Sequence, residues 1–287
     1  MAADLHLAPS PDTPKACTNC ASELVDVYCA ACGEKQPGHH DLTIGHFFHE
    51  LIHELVHLDS KLFGTLRTLV TKPGQLTADY FAGRKSRSIT PLRLFLVLFA
   101  LQLIAFTLNS RTALYSVEGV VGMDTQGTAR QAFGGLAQKA HLDYRTFVEL
   151  VDTKWKTNMS VFQLGNVLLF ALVMKLLYVR RNRTFGEHLV FCTHMLAFSY
   201  LYALVCWPIY FFHGIRPSPL IYGLSAVSTI LLATYLFFAM RRYYGQSKGK
   251  TLMKTLFAYA GMNVAAVVMM YGTMIAAAVA VVVAHRK

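Results

Sequence analysis

Charge is scarce in this chain. Only 15% of its 287 residues are charged, while 54% are hydrophobic, a balance that sets it apart from ordinary soluble domains. Acidic residues are the scarcest, with 16 Asp and Glu against 27 Lys and Arg. None of them falls inside the long apolar runs, which argues against a carboxylate proton relay at membrane depth. The sequence has no nucleotide-binding loop, no Ser-His-Asp order and no convincing pair of catalytic carboxylates. The N-terminus lacks the basic-then-apolar order of a cleavable signal and carries Pro9, Pro11 and Pro14 instead.

Apolar sequence is what abounds. Runs of roughly 18 or more residues read as membrane-spanning helices, and five such runs follow residue 90: Pro91 to Leu108, Ser160 to Val179, His188 to Phe212, Leu220 to Met240, and Leu256 to Ala284. The last exceeds the roughly 20 residues that cross a bilayer, so a tilt or an interfacial start is expected. Basic residues set the orientation. Arg180, Arg181 and Arg183 follow the second run, and Arg241, Arg242, Lys248, Lys250 and Lys254 follow the fourth. Arg84, Lys85, Arg87 and Arg93 precede or begin the first. All three groups fall on one side, which places the N-terminal region in the cytoplasm and the C-terminus outside. The positive charge is then explained by topology and anionic lipid, and no nucleic acid is expected as a partner.

Cys17, Cys20, Cys29 and Cys32 form two C-x2-C pairs in CTNCASELVDVYCAACG. Four thiolates so spaced close a tetrahedral structural zinc site. A disulfide pair or an iron-sulfur ligand set is the alternative, the first disfavoured in a reducing compartment. So small a segment depends on its metal to fold.

The string HELIHELVH holds H-E-x-x-H twice, through His49, Glu50 and His53 and again through His53, Glu54 and His57. Two histidines at i and i+4 with an intervening glutamate suit a zinc peptidase, but no third ligand follows at a usable spacing. Ile44, Phe48, Leu51, Ile52 and Leu55 recur at helical spacing, so an amphipathic helix beside the membrane is the preferred assignment, ahead of a second metal site on His49, His53 and His57. A further helix from Lys61 to Thr71 is stopped by Pro73 and Gly74, and QLTADYFAG ends at the helix-capping Gly83. Arg84, Lys85 and Arg87 suit phosphate headgroups.

Four blocks in order, namely the cysteine knuckles, TLRTLVTKPGQLTADYFAGRKSRSITPLRLF, KLLYVRRNRTFGEHLVFCTHMLAFSYLY and RRYYGQSKGKTLMKTL, resemble the bacterial inner-membrane family catalogued as domain of unknown function 3667. That resemblance implies an inner-membrane protein and brings no assigned activity with it.

Polar residues at membrane depth are the remaining candidates for function. Glu187, His188 and His194 cluster at the start of the third run and Asn263 lies at a comparable depth in the fifth, with Gln102, Gln163 and Asn166 nearer the centre or outer half. Interhelical hydrogen bonding is the preferred explanation. Gly272, Ala276, Ala280 and Ala284 form a small-residue stripe suited to close packing, within the bundle or between copies. Trp155 and Trp207 are expected at the outer interface.

The expected architecture is an all-α polytopic membrane protein. It comprises an unstructured N-terminus (1–14), a four-cysteine zinc ribbon (15–38), juxtamembrane amphipathic helices (41–89) and a five-helix membrane domain (90–287) with an external loop at 109–159. The expected role is binding or scaffolding, with membrane lipids, a protein partner on the ribbon and a second copy of the chain as partners. A transporter or sensor using Glu187, His188, His194 and Asn263 is the alternative, and a zinc peptidase on the overlapping H-E-x-x-H the remote one.

Overall fold

The structure is a computed structural model that describes residues 16–17, 19–23, 29–32, 61–107, 116–122, 124, 126–213 and 218–285. The doubled H-E-x-x-H, with His49, His53 and His57, lies outside the described residues.

Among the described residues, the first helices form a hairpin. Helix α1 (Lys61–Thr71) ends at the Pro73–Gly74 turn, and α2 (Gln75–Phe81) ends where Gly83 adopts φ 80. Arg84 N–H donates to Asp79 O and Gly83 N–H to Tyr80 O, the paired bonds of a Schellman cap. Both stops stand where the sequence places them. A 3-10 turn (Lys85–Arg87) leads into α3 (Pro91–Thr107), the first apolar run.

Three helices follow inside the stretch expected to be an external loop: α4 (Val117–Gly122), α5 (Thr128–Lys139) and α6 (Tyr144–Thr157). Phe133, Phe147, Val151 and Trp155 form their shared core. Trp155 is completely buried there and donates from Nε1 to Thr273 Oγ1 at 3.0 Å, so it is a core residue and not the interface marker expected from sequence.

The bundle is completed by α7 (Met159–Leu177), α8 (Phe185–His213), α9 (Pro219–Tyr244) and α10 (Lys248–His285). Side-chain contacts fix their directions. Phe95 and Phe99 of α3 meet Tyr200 of α8, and Trp207 Nε1 donates to Ala105 O, so α3 and α8 run parallel. Phe198 stacks on Tyr235 and Tyr202 bonds Ser228, which makes α8 and α9 antiparallel. A Cβ on Gly165 would meet Met269 and one on Gly261 would meet Val173, so α7 and α10 are antiparallel too. Gln163 of α7 meets Tyr200 of α8 while Tyr178, just after α7, meets His188, so α7 and α8 are antiparallel as well, and helix direction alternates through α3, α7, α8, α9 and α10. The hairpin, the α7–α8 turn and the α9–α10 turn, with their basic residues, lie at one end, and α4–α6 lie at the other.

Helices α8, α9 and α10 are long and apolar enough to cross a membrane, and a fourth crossing counts if α6 and α7, bent by 62°, are taken together. The expected five crossings are thus met in part, because α3 has 17 residues, about 26 Å at helical rise. At 38 residues, α10 is about 57 Å long, more than a bilayer crossing needs. Its far end, including Met274, Ala277, Ala278 and Val281, packs into the core of α4–α6. Val227, Ile230, Val264, Val268 and Ile275 are exposed along α9 and α10, an apolar surface suited to a membrane environment.

Candidate functional site

The four cysteine Sγ atoms all lie within 4.8 Å of one another. Cys17 and Cys32 are 3.6 Å apart, as are Cys20 and Cys29. A disulfide needs about 2.05 Å, whereas four sulfurs about 2.3 Å from a central ion sit about 3.8 Å apart along each tetrahedral edge. The geometry fits one metal ion and no disulfide.

The backbone builds this arrangement locally. Cys17 N–H donates to Ser22 O and Ala21 N–H to Cys17 O, both at 2.8 Å, with Ala16 bridged to Glu23. The tight turn puts Ala21 at φ 60, a left-handed conformation usually left to glycine. Asn19 N–H donates to Cys17 Sγ at 3.4 Å. Ser22 Oγ lies 2.8 Å from Cys20 Sγ and 3.1 Å from Cys29 Sγ. The Ser22 hydroxyl lowers the Cys29 thiol to about 6 and also lowers Cys20, so the ribbon favours the thiolates that a metal requires. Sequence spacing finds the four ligands but not Ser22, which becomes visible only once the knuckle closes over it.

The candidate polar site of the bundle divides into separate contacts. Thr184 and Glu187 form a reciprocal capping box at the start of α8: Glu187 N–H donates to Thr184 Oγ1 at 3.3 Å and Thr184 N–H to Glu187 Oε1 at 3.4 Å. The other Glu187 oxygen accepts from Arg183 Nη1 at 2.7 Å and from Tyr243 O–H at 2.9 Å. Glu187 in turn holds the Arg183 guanidinium above its ordinary range. His188 is fully buried, with Nδ1 2.7 Å from the Tyr244 hydroxyl. Tyr244 stacks on Tyr178 at 3.9 Å, and Lys254 Nζ caps the Tyr178 ring at 3.8 Å. The sequence marks Glu187 and His188 but not Tyr178, Tyr243, Tyr244 or Lys254, which join them from three other elements.

His194 is elsewhere. Its Nδ1 lies 3.0 Å from Thr77 Oγ1 of the hairpin, both side chains buried. Asn263 is exposed and donates to Tyr259 O of its own helix at 2.8 Å, so the structure does not bring it to the other three. Near the middle of the bundle, Tyr200 donates to Gln163 Oε1.

The hairpin is fastened along the flank of α8 and α9. Tyr235 O–H donates to Leu69 O at 2.6 Å and Arg242 Nη1 to Pro73 O at 2.7 Å. The 3-10 turn reaches the ribbon, where Arg87 Nη2 donates to Asn19 O at 2.8 Å. Arg84 pairs with Asp79 and Lys85 lies over the Tyr80 ring, so two of the three expected headgroup residues also have partners within the hairpin.

Comparison with known proteins gives no match among curated proteins and none among solved structures. Residues 59–103, which span the hairpin, the 3-10 turn and most of α3, match the model of the family described as Protein of unknown function (DUF3667), so in this segment the chain is similar to that family.

Proposed function

We propose that this is a binding or scaffolding protein of the bacterial inner membrane, in which a four-cysteine zinc ribbon on the cytoplasmic face is braced against the family segment. The observation that carries this choice is that Glu187, His188 and His194 each hold the fold together, through a cap, an inter-helix bond and a hairpin bond respectively. Side chains that move a substrate across a bundle need some freedom to engage it. A single-metal geometry of four sulfurs supports zinc as the ion, with a structural and non-catalytic role, since all four positions are protein ligands.

All five of α3, α7, α8, α9 and α10 cross the membrane in this proposal, supported by their alternating directions and by the gathering of basic residues at one end. The C-terminus is then external. A C-terminal reporter that is active only inside the cell would contradict it. The exposed Gly272 and Ala276 offer a close-packing face to a second copy, and a Gly272→Leu variant with unchanged particle mass would count against that contact.

The test against a transporter is the melting temperature of the detergent-solubilised His194→Ala variant. A scaffold loses stability, because Thr77 is left buried without its partner. An unchanged melting curve together with loss of a flux would overturn the proposal.

A further inference from the structure

A cavity of about 520 Å³ opens between α1, α2 and the 3-10 turn, walled in part by Thr65, Thr68, Lys72, Gln75, Arg87 and Ser88. Its volume lies in the range of small-molecule sites. The lining is mainly polar, and the groups in it are not equally available. Thr65 and Thr68 donate to Lys61 O and Gly64 O. Asp79 also faces the cavity, but its Oδ1 accepts from Gln75 Nε2 at 2.8 Å and from Arg84 Nε at 3.0 Å.

Among the described residues, Lys72 and Arg87 meet no carboxylate within ion-pair distance, and the Ser88 hydroxyl has no partner. The uncommitted donors are therefore two cations and a hydroxyl, while the one acid is already neutralised. Arg87 uses a single N–H on Asn19 O, and a guanidinium has five. It can brace the ribbon and face the cavity together.

We propose that this cavity binds a phosphate-bearing anion, with the phosphate held by Lys72, Arg87 and Ser88. Planar, multivalent donors and a point-charge lysine are the groups that recognise phosphate. The cavity lies at the basic end of the bundle, and Phe63, Val70 and Phe81 are exposed elsewhere on the same hairpin, so one source is the headgroup of an anionic phospholipid. The other is a soluble phosphate ester. The site does not require the metal, but a ligand on Arg87 would also stiffen the residue that holds the first knuckle.

Calorimetric titration of the full-length, detergent-purified protein tests this with three probes: dioctanoyl phosphatidylglycerol, dioctanoyl phosphatidylcholine and glycerol 3-phosphate. Binding of the anionic lipid alone identifies a headgroup site, and binding of glycerol 3-phosphate as well shows that the phosphate suffices. In either case Lys72→Gln should weaken binding roughly tenfold, and adding Arg87→Gln should weaken it further. Lys72 is exposed and holds the turn only through its backbone, by bonds with Thr68 O and Gln75 N–H that a side-chain change leaves in place, so its variant stays informative even if the double variant folds poorly. Absence of binding by both anionic probes, equal binding of phosphatidylcholine, or affinity unchanged in Lys72→Gln would overturn the proposal.

Discussion

Gly74 seats the hairpin turn against α9, and replacing it with alanine tests how firmly the hairpin is held there. Its φ is +76, and a Cβ there would lie 2.6 Å from Ala239 O and 2.9 Å from Ala239 Cα on α9. Two effects add. Left-handed backbone costs an alanine about 1–2 kcal/mol, and forcing a methyl against backbone costs a further ~1–3 kcal/mol. Gly127 separates them, because it has φ +72 with nothing within 4 Å of a Cβ, so Gly127→Ala should show the conformational part alone. Thermal unfolding in detergent, followed by circular dichroism, should give Gly74→Ala a drop in melting temperature about twice that of Gly127→Ala or more. The bonds from Tyr235 to Leu69 O and from Arg242 to Pro73 O should loosen with it, so a protease should cut the hairpin faster in Gly74→Ala. Equal shifts for the two variants would refute the close seating of the turn on Ala239.

Ala21→Gly removes the left-handed strain of the first knuckle and should stabilise the metal-bound ribbon by about 1 kcal/mol; competition with a chelator would then show roughly fivefold tighter metal retention. Trp155→Ala should free α4–α6 from α10 at a cost of about 3–5 kcal/mol, seen as proteolysis within residues 116–157 of the reconstituted protein while α8–α10 stay protected. Asp143 caps α6 by accepting from Thr146 N–H at 3.0 Å, and Asp124 accepts from Thr128 O–H and Ala129 N–H; these bonds hold both carboxyls below their ordinary range. Their stabilisation is complete above the ordinary carboxylate range and is lost as pH falls through the lower folded values, so α4–α6 should loosen in acid. In Asp143→Ala that acid sensitivity should shrink, and an unchanged pH profile by hydrogen exchange would count against the cap.

How much of this is legible in the sequence depends on the range of the interaction. The stops at Pro73–Gly74 and Gly83 are local backbone chemistry, and the residues themselves announce them. The four-cysteine cluster is nearly as local, since C-x2-C fixes each pair and the short interval lets the pairs meet. Helices α8, α9 and α10 are visible as apolar runs because each is long and apolar enough to cross a membrane, whether its side chains face outward or, as over much of α8, pack inside the bundle. The helices of 116–157 escape a sequence reading because length and mixed charge suggest a loop, yet Phe147, Val151 and Trp155 recur every fourth residue and carry an amphipathic signal. Asn263 looks equivalent to His194 by depth alone, but depth does not say which way a side chain faces, and Asn263 faces outward. The contact of Thr77 with His194 spans 117 residues, and that of Leu69 with Tyr235 spans 166. No periodicity within either helix encodes such a pairing.

The central proposal, that the metal ion for which the four cysteines are placed is a single tetrahedral zinc, is tested most directly by the zinc content per chain of the detergent-purified protein. The same measurement is made on a variant with Cys17, Cys20, Cys29 and Cys32 changed to serine. About one zinc per chain in the parent and none in the variant is the predicted result. Zinc retained after loss of all four cysteines would contradict the account and direct attention to His49, His53 and His57.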